Sequence, residues 1–169
     1  PTLLVAQEAV EVVLSWGIKI DVVLGTLEFQ KENIHLLEEQ YPLRFLTVSS
    51  LTTLEEGIHY LLASQHKGVH LVGFDHQKHQ ELEEKIQHLD LTLLDGDWKY
   101  YPVKGGKFSK WFAASEIQIL AAENQPLEIS NANGQLLFPV QYLTQIEVPE
   151  GTSTFSSTGI FWIGERVRA

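Results

Sequence analysis

The 169-residue chain has no cysteine. Disulfides, thiolate metal sites and a cysteine nucleophile are therefore excluded, and a cytoplasmic setting is expected. Methionine is absent too, which carries no functional reading. No apolar run reaches the roughly eighteen residues a spanning helix needs, so no membrane association is expected. No basic n-region precedes an apolar core at the amino end. Basic side chains are scarce, 12 Lys and Arg against 22 Asp and Glu, for a formal charge of −10. A generic nucleic-acid groove leans on clustered Lys and Arg and is not expected on that balance. ATP remains compatible, because a local site needs only a few donors. The sequence also lacks G-x-x-x-x-G-K-[ST], G-x-G-x-x-G and G-x-S-x-G, hence the familiar phosphate cradles and the nucleophile elbow.

What is present is alternation. Leu3 to Ala6 reads as a strand, and Ala9, Val10, Val12, Val13 and Trp16 recur at helical spacing up to Gly17, a C′ glycine. Ile18 to Leu24 is a β-branched apolar run, as expected of a strand buried on both faces. A polar helix is predicted over 31–40, with Ile34, Leu36 and Leu37 inward and Pro42 as its stop. A strand over 43–48 follows. Ser49, Ser50, Thr52 and Thr53 form an N-cap cluster, with Thr53 and Glu56 at capping-box spacing. A helix to about residue 66, a strand over 69–73, a helix over 77–88 and a strand over 91–95 complete this half. Its alternation argues for a parallel sheet with right-handed crossovers. After Asp95 the pattern changes to eight short strand-like runs separated by Gly, Asn and Pro, as in a β-sandwich or barrel. The fold class is thus α/β: a parallel-sheet N-terminal domain with crossover helices over 1–96, then an all-β, sandwich-like C-terminal domain over 97–169. Because the chain begins almost directly in LLVA, its amino end is expected to be truncated relative to a complete fold.

Ligands of open α/β sheets sit just beyond the carboxyl ends of strands. Gly25 permits a tight turn at one such end, which directs attention to Thr26, Leu27 and Glu28. The stretch GIKIDVVLGTLEF, residues 17–29, resembles the segment GI-x-PD-x-x-x-GD-x-DS of the thiamine pyrophosphokinases. Gly17, Ile18, Asp21 and Gly25 match; Ile20 replaces the proline, Thr26 the first acid and Phe29 the serine, while Glu28 keeps the second charge. The family's D-x-T-D falls on Ser50, Leu51, Thr52 and Thr53, retaining only Thr52. Its R-x-DH falls on Gly73, Phe74, Asp75 and His76, retaining Asp75 and His76. Its DGG falls on Gln7, Glu8 and Ala9. The resemblance implies the two-part fold, a homodimer, and diphosphate transfer from ATP to thiamine with magnesium held by acidic residues.

It also assigns candidate roles. Glu28 and Asp75 are the catalytic candidates and the magnesium ligands if magnesium is bound at all. Asp21, Thr26, Thr52, His76 and Trp162 are the substrate-binding candidates, with Trp162 stacking on the flat cationic heterocycle. Ser130 and Asn131 resemble the family's late SN pair. Magnesium prefers hard oxygen ligands, commonly carboxylates with phosphate oxygens and water, and a threonine hydroxyl brings no charge. Diphosphate transfer depends on positioning and charge neutralisation, so it is expected to be weak or lost.

Each candidate has a purely structural alternative. Glu28 sits where a helix dipole favours an acid. Asp75, Thr52 and Thr53 are good helix caps, Asp21 is suited to backbone donors, and Trp162 to packing a sandwich core. His76 and His79, three apart beside Asp75, suggest a metal site without fixing a third ligand. Two functional readings follow. One is a thiamine pyrophosphokinase-related enzyme, or a non-catalytic thiamine- or nucleotide-binding protein. The other is a structural dimerisation or interaction domain with no small ligand.

Overall fold

The computed structural model describes residues 2–48 and 52–167. Contacts divide the chain into two compact units, 1–66 and 67–169. No helix among the described residues is long and apolar enough to cross a membrane.

The first unit is the expected α/β layer. β1 (Leu4–Ala6), β2 (Val22–Gly25) and β3 (Arg44–Thr47) form a parallel sheet in that order. All four β2 residues are buried. Val23 packs with Val5, Val10, Val13, Ile20 and Leu36, on the side of α1 (Val10–Ser15) and α3 (Leu36–Glu39). Leu24 meets α4 (Thr53–Ala63), where a Cβ on Gly57 would touch its Cδ2 at 3.4 Å. Burial on both faces is why this strand is an unbroken apolar run.

The helix predicted over 31–40 is two short pieces, α2 (Leu27–Glu32) and α3. The break is at Asn33, the C-cap of α2, whose main-chain N–H and Nδ2 both donate to the Phe29 carbonyl, at 3.0 and 2.9 Å. The helical phase resets there, so Leu36 is buried while Ile34 is exposed. The capping box lies one residue earlier than expected: α4 starts at Thr53, which makes Thr52 the N-cap and Glu55 its partner. Thr52–Glu55 and Thr53–Glu56 share the same spacing, and the extended backbone of Thr52 decides between them. Ser49, Ser50 and Leu51 lie outside the described residues.

The second unit is a two-sheet sandwich. One sheet has the order β11-β8-β13-β6-β5-β4, the other β10-β9-β12-β7. Their strands are β4 (Gly68–Val72), β5 (Asp90–Asp95), β6 (Trp98–Val103), β7 (Lys107–Phe112), β8 (Ser115–Leu120), β9 (Pro126–Asn131), β10 (Gly134–Pro139), β11 (Leu143–Val148), β12 (Gly151–Ser157) and β13 (Phe161–Arg166). Between the sheets lie Phe112, Ile117, Ile119, Leu127, Ile129, Phe155, Phe161 and Ile163. The boundary read after residue 96 falls instead inside a tight hairpin, because Asp95 pairs with Trp98 and Leu93 with Tyr100. β4 and β5 are parallel, as expected, but they extend the larger, mostly antiparallel sheet. The connection between them is not one α-helix but two 3-10 stretches, His76–Leu82 and Lys85–Gln87, with Lys78 out of helical geometry. Leu82, Ile86 and Leu89 are nevertheless fully buried.

Candidate functional site

Two strand ends carry the candidates. In the first unit, β2 ends at Gly25 and Thr26 caps α2, its hydroxyl accepting the Phe29 N–H at 3.2 Å. The Thr26 N–H donates to Gln7 Oε1 at 2.8 Å. That amide lies so close that a Cβ on Gly25 would stand 3.0 Å from it and 3.1 Å from Phe29 Cδ1. Gln30 Nε2 donates to the Gly25 carbonyl at 3.2 Å and to Thr47 Oγ1 at 3.0 Å. The turn is therefore closed by its own amides. Glu28 stands exposed in the first turn of α2, where the helix dipole favours it.

Thr52 is likewise occupied. Its hydroxyl accepts the Glu55 N–H at 3.2 Å, and the Glu55 carboxylate accepts the Thr52 N–H at 3.2 Å. Asp21 stands at the other end of β2 from Gly25. Its Oδ2 accepts the Leu3 N–H at 2.8 Å, and Lys19 lies 3.5 Å from its Oδ1. Asp21 is thus not gathered with Thr26 and Glu28; it holds β1 against the start of β2.

These residues do not fit a magnesium ion. Both threonine hydroxyls already accept backbone N–H groups, and at the turn after β2 only Glu28 supplies charge, whereas magnesium calls for several hard oxygen ligands.

In the second unit, β4 is followed by Gly73 and Phe74, and Asp75 then caps the 3-10 stretch by accepting the Gln77 N–H at 3.0 Å. His76 is held from two directions. Asp95 Oδ2, at the end of β5, lies 2.7 Å from His76 Nδ1 and accepts the His76 main-chain N–H at 3.0 Å. The imidazole stacks on Tyr100 with centroids 5.1 Å apart and an interplanar angle of 13°. These hydrogen bonds from His76 hold the Asp95 carboxyl below its ordinary range. Burial, then the charge of Asp95, pushes the Tyr100 phenol up to about 12.

Tyr100 is fixed in turn. Its hydroxyl donates to Gln118 Oε1 at 2.5 Å, and its ring lies across Gly164. A Cβ on Gly164 would come within 2.5 Å of the ring. Tyr100 pairs with Gly164, and Gly164 with Gln118, across β6, β13 and β8. Glycine is thus required where the ring crosses the central strand. Ligand atoms of Asp75, His76 and Asp95 all lie within 4.8 Å of one another, the one such group among the described residues. Two carboxylates and an imidazole suit a cation of mixed N/O preference better than magnesium.

Trp162 is wholly buried on β13, its ring edge-on to His79 at 6.2 Å. It lies between Phe161 and Ile163, which join the between-sheet cluster, and so faces the other way, toward His79 of the 3-10 stretch. His79 is 2% exposed, and burial lowers its pKa. Ser130 and Asn131 end β9, and the Asn131 side chain accepts the Asn133 N–H in the hairpin turn.

Sequence reasoning missed Gln7, Asp95, Tyr100, Gln118 and Gly164. Asp95 carried a usable signal: it ends an apolar strand, where ligands of α/β sheets gather. Nothing local announces Gln7 or Gln118.

No family model and no curated protein matches the sequence. The structure is similar to thiamine pyrophosphokinase from Bacillus subtilis, with a TM-score of 0.73, 13% identity and coverage of 99% of this chain and 88% of that one. For the Geobacillus thermodenitrificans enzyme the values are 0.71, 11%, 99% and 87%, and for the yeast enzyme 0.67, 9%, 99% and 86%. The likeness is one of fold, and it runs the length of the chain.

Proposed function

We propose that this chain is a divergent relative of the thiamine pyrophosphokinases that binds thiamine or ATP while diphosphate transfer is weak or lost. The observation that carries this reading is the closed turn at Gly25. The hydroxyls of Thr26 and Thr52 cap helices, and the Gln7 amide takes the Thr26 N–H. The resemblance places the family's acids at Gln7 and Thr26, and at Ser50 and Thr53 beside Thr52. The full-length likeness of fold supports common ancestry. On this reading the α/β part descends from a catalytic part and the β-sandwich from a thiamine-binding part, in a cytoplasmic homodimer. His76 and Asp75 are its ligand contacts, Glu28 is its residual acid, and ATP with magnesium would serve only a retained activity.

The test is calorimetric titration of thiamine and of ATP, with and without magnesium, followed by an AMP-release assay on the same sample. Binding of either ligand without AMP release is the expected result. Magnesium-dependent ATP binding with AMP release would overturn the loss of catalysis. No binding of either ligand would favour the second reading, a structural dimerisation protein. That reading is supported by β10, an edge strand on which Leu136 and Leu137 are 56% and 69% exposed. Sedimentation equilibrium measures the dimer directly.

A further inference from the structure

We propose that Asp95 is a positioning residue: it holds His76 with the proton on Nδ1, so that Nε2 serves as the acceptor for a hydroxyl or amino group of a bound ligand. This rests on the reading of His76 as a ligand contact given above.

The direction of the proton follows from the partners. An ionised carboxylate only accepts hydrogen bonds, so the 2.7 Å contact between Asp95 Oδ2 and His76 Nδ1 requires the proton on Nδ1. In the neutral ring Nε2 is then the acceptor. The same Oδ2 accepts the His76 main-chain N–H, so ring and backbone are anchored to one atom. The Tyr100 ring lies nearly parallel beneath the imidazole and prevents it from turning. Tyr100 is itself fixed by Gln118 and by the space over Gly164. Among the described residues, Nε2 has no hydrogen-bond partner. The orientation is therefore set by several groups, and the atom they orient is left open.

The surroundings select the class of ligand group. Among the described residues, no lysine or arginine pairs with Asp75 or Asp95. The position that the family resemblance assigns to an arginine is Gly73, which brings no side chain. A phosphate oxygen placed here would face carboxylates without a compensating cation. A neutral donor would meet an acceptor already pointed at it, and both thiamine and ATP carry amino and hydroxyl groups.

The test uses the full chain, labelled with 15N, and two substitutions. Imidazole 15N–1H correlation spectra at about pH 9, well above the ordinary imidazole range, read the tautomer without any ligand. The parent should show protonated Nδ1 and bare Nε2. Asp95→Leu keeps the shape and removes the acceptor of both bonds, so the proton should leave Nδ1 for Nε2, the form a free neutral imidazole favours. Titration of thiamine and of ATP should then show affinity for the bound ligand about three- to tenfold weaker in Asp95→Leu. In His76→Gln, where no tautomer exists, adding Asp95→Leu should change affinity by less than about twofold.

Asp95 acting only on structure would weaken binding equally in both backgrounds, and that result overturns the proposal. A proton on Nε2 in the parent, or an unchanged tautomer in Asp95→Leu, also overturns it. If the parent binds neither thiamine nor ATP, the ligand reading fails and the acceptor role falls with it. The spectra still decide whether Asp95 sets the ring.

Discussion

The chain offers two strand ends of similar construction and opposite state. After β2 comes Gly25, then Thr26 as a helix cap; after β4 comes Gly73, then Asp75 as a helix cap. At the first, Gln7 and Gln30 take up both the Thr26 N–H and the Gly25 carbonyl, so the turn is satisfied from within. At the second, two carboxylates and an imidazole are gathered, and one ring nitrogen is left without a partner among the described residues. Buried backbone groups must be paired with something. A turn whose backbone groups meet amides is satisfied from within, whereas a turn that holds a polar cluster needs outside support to keep it oriented. Tyr100, Gln118 and Gly164 give that support.

The largest effect is therefore expected beneath the second turn. Gly164→Ala puts a Cβ 2.5 Å from Tyr100 Cε1 and 2.7 Å from Cδ1. The ring must lift, which breaks its bond to buried Gln118 and removes the platform under His76. Overpacking together with an unsatisfied buried group should lower stability by about 3 kcal/mol, read by urea unfolding. A loss below about 0.5 kcal/mol would show that the ring is not braced by β13.

Acid should separate two groups of this same region. His79 is buried and its pKa is lowered, so the unfolded chain binds the proton more readily. Stability from this group is complete above its ordinary value of 6.5 and falls as pH drops from there toward its folded value. Asp95 is also held low, so its contribution is complete above 3.8 and lost as pH falls further, through its folded value. Unfolding free energies between about pH 7 and pH 5 should therefore slope less in His79→Leu than in the parent. An unchanged slope there would assign the acid sensitivity to other histidines.

The first turn predicts smaller changes. Thr52→Ala removes a reciprocal capping box and should cost about 1.5 kcal/mol, while Thr26→Ala removes one cap bond and should cost about 1 kcal/mol. Thermal melts read both, and a reversed order would mean that the single Thr26 cap bond outweighs the box.

The legible and illegible parts of this chain divide along the range of the interactions. β2 is readable because burial on both faces forces a continuous apolar run. The late strands are readable because turn residues punctuate them closely. The hairpin joining β5 to β6 is not, because a change in texture marks where the connection pattern changes and not where hydrogen bonding stops. Asn33 hides a helix break in a stretch of helical composition, since its side chain caps the Phe29 carbonyl only once the turn forms. Asp75 and His76 stand out by motif. Their partner Asp95 lies nineteen positions beyond His76 and meets it only through the parallel pairing of β4 with β5. Trp162 is equally suited to ligand and core by sequence, and only the fold shows it buried beside His79.

The smallest change in stability bears most directly on the proposed loss of magnesium binding at the first turn. Thr26→Asp keeps a good N-cap and adds back the charge that the resembled family has at this position, so stability should move by less than about 0.5 kcal/mol. If missing charge alone silences the turn, this one substitution should make ATP binding magnesium-dependent. The closed geometry argues otherwise. Gln7 Oε1 would still take the main-chain N–H that Thr26 now donates, and the Gln7 side chain still stands over Gly25. Magnesium dependence in the calorimetric titration is therefore expected only when Gln7→Asp is combined with Thr26→Asp, which removes the amide and supplies a second acid. Dependence in Thr26→Asp alone would make charge the whole difference between the two turns. Its absence even in the double variant would place the loss at positions beyond this turn.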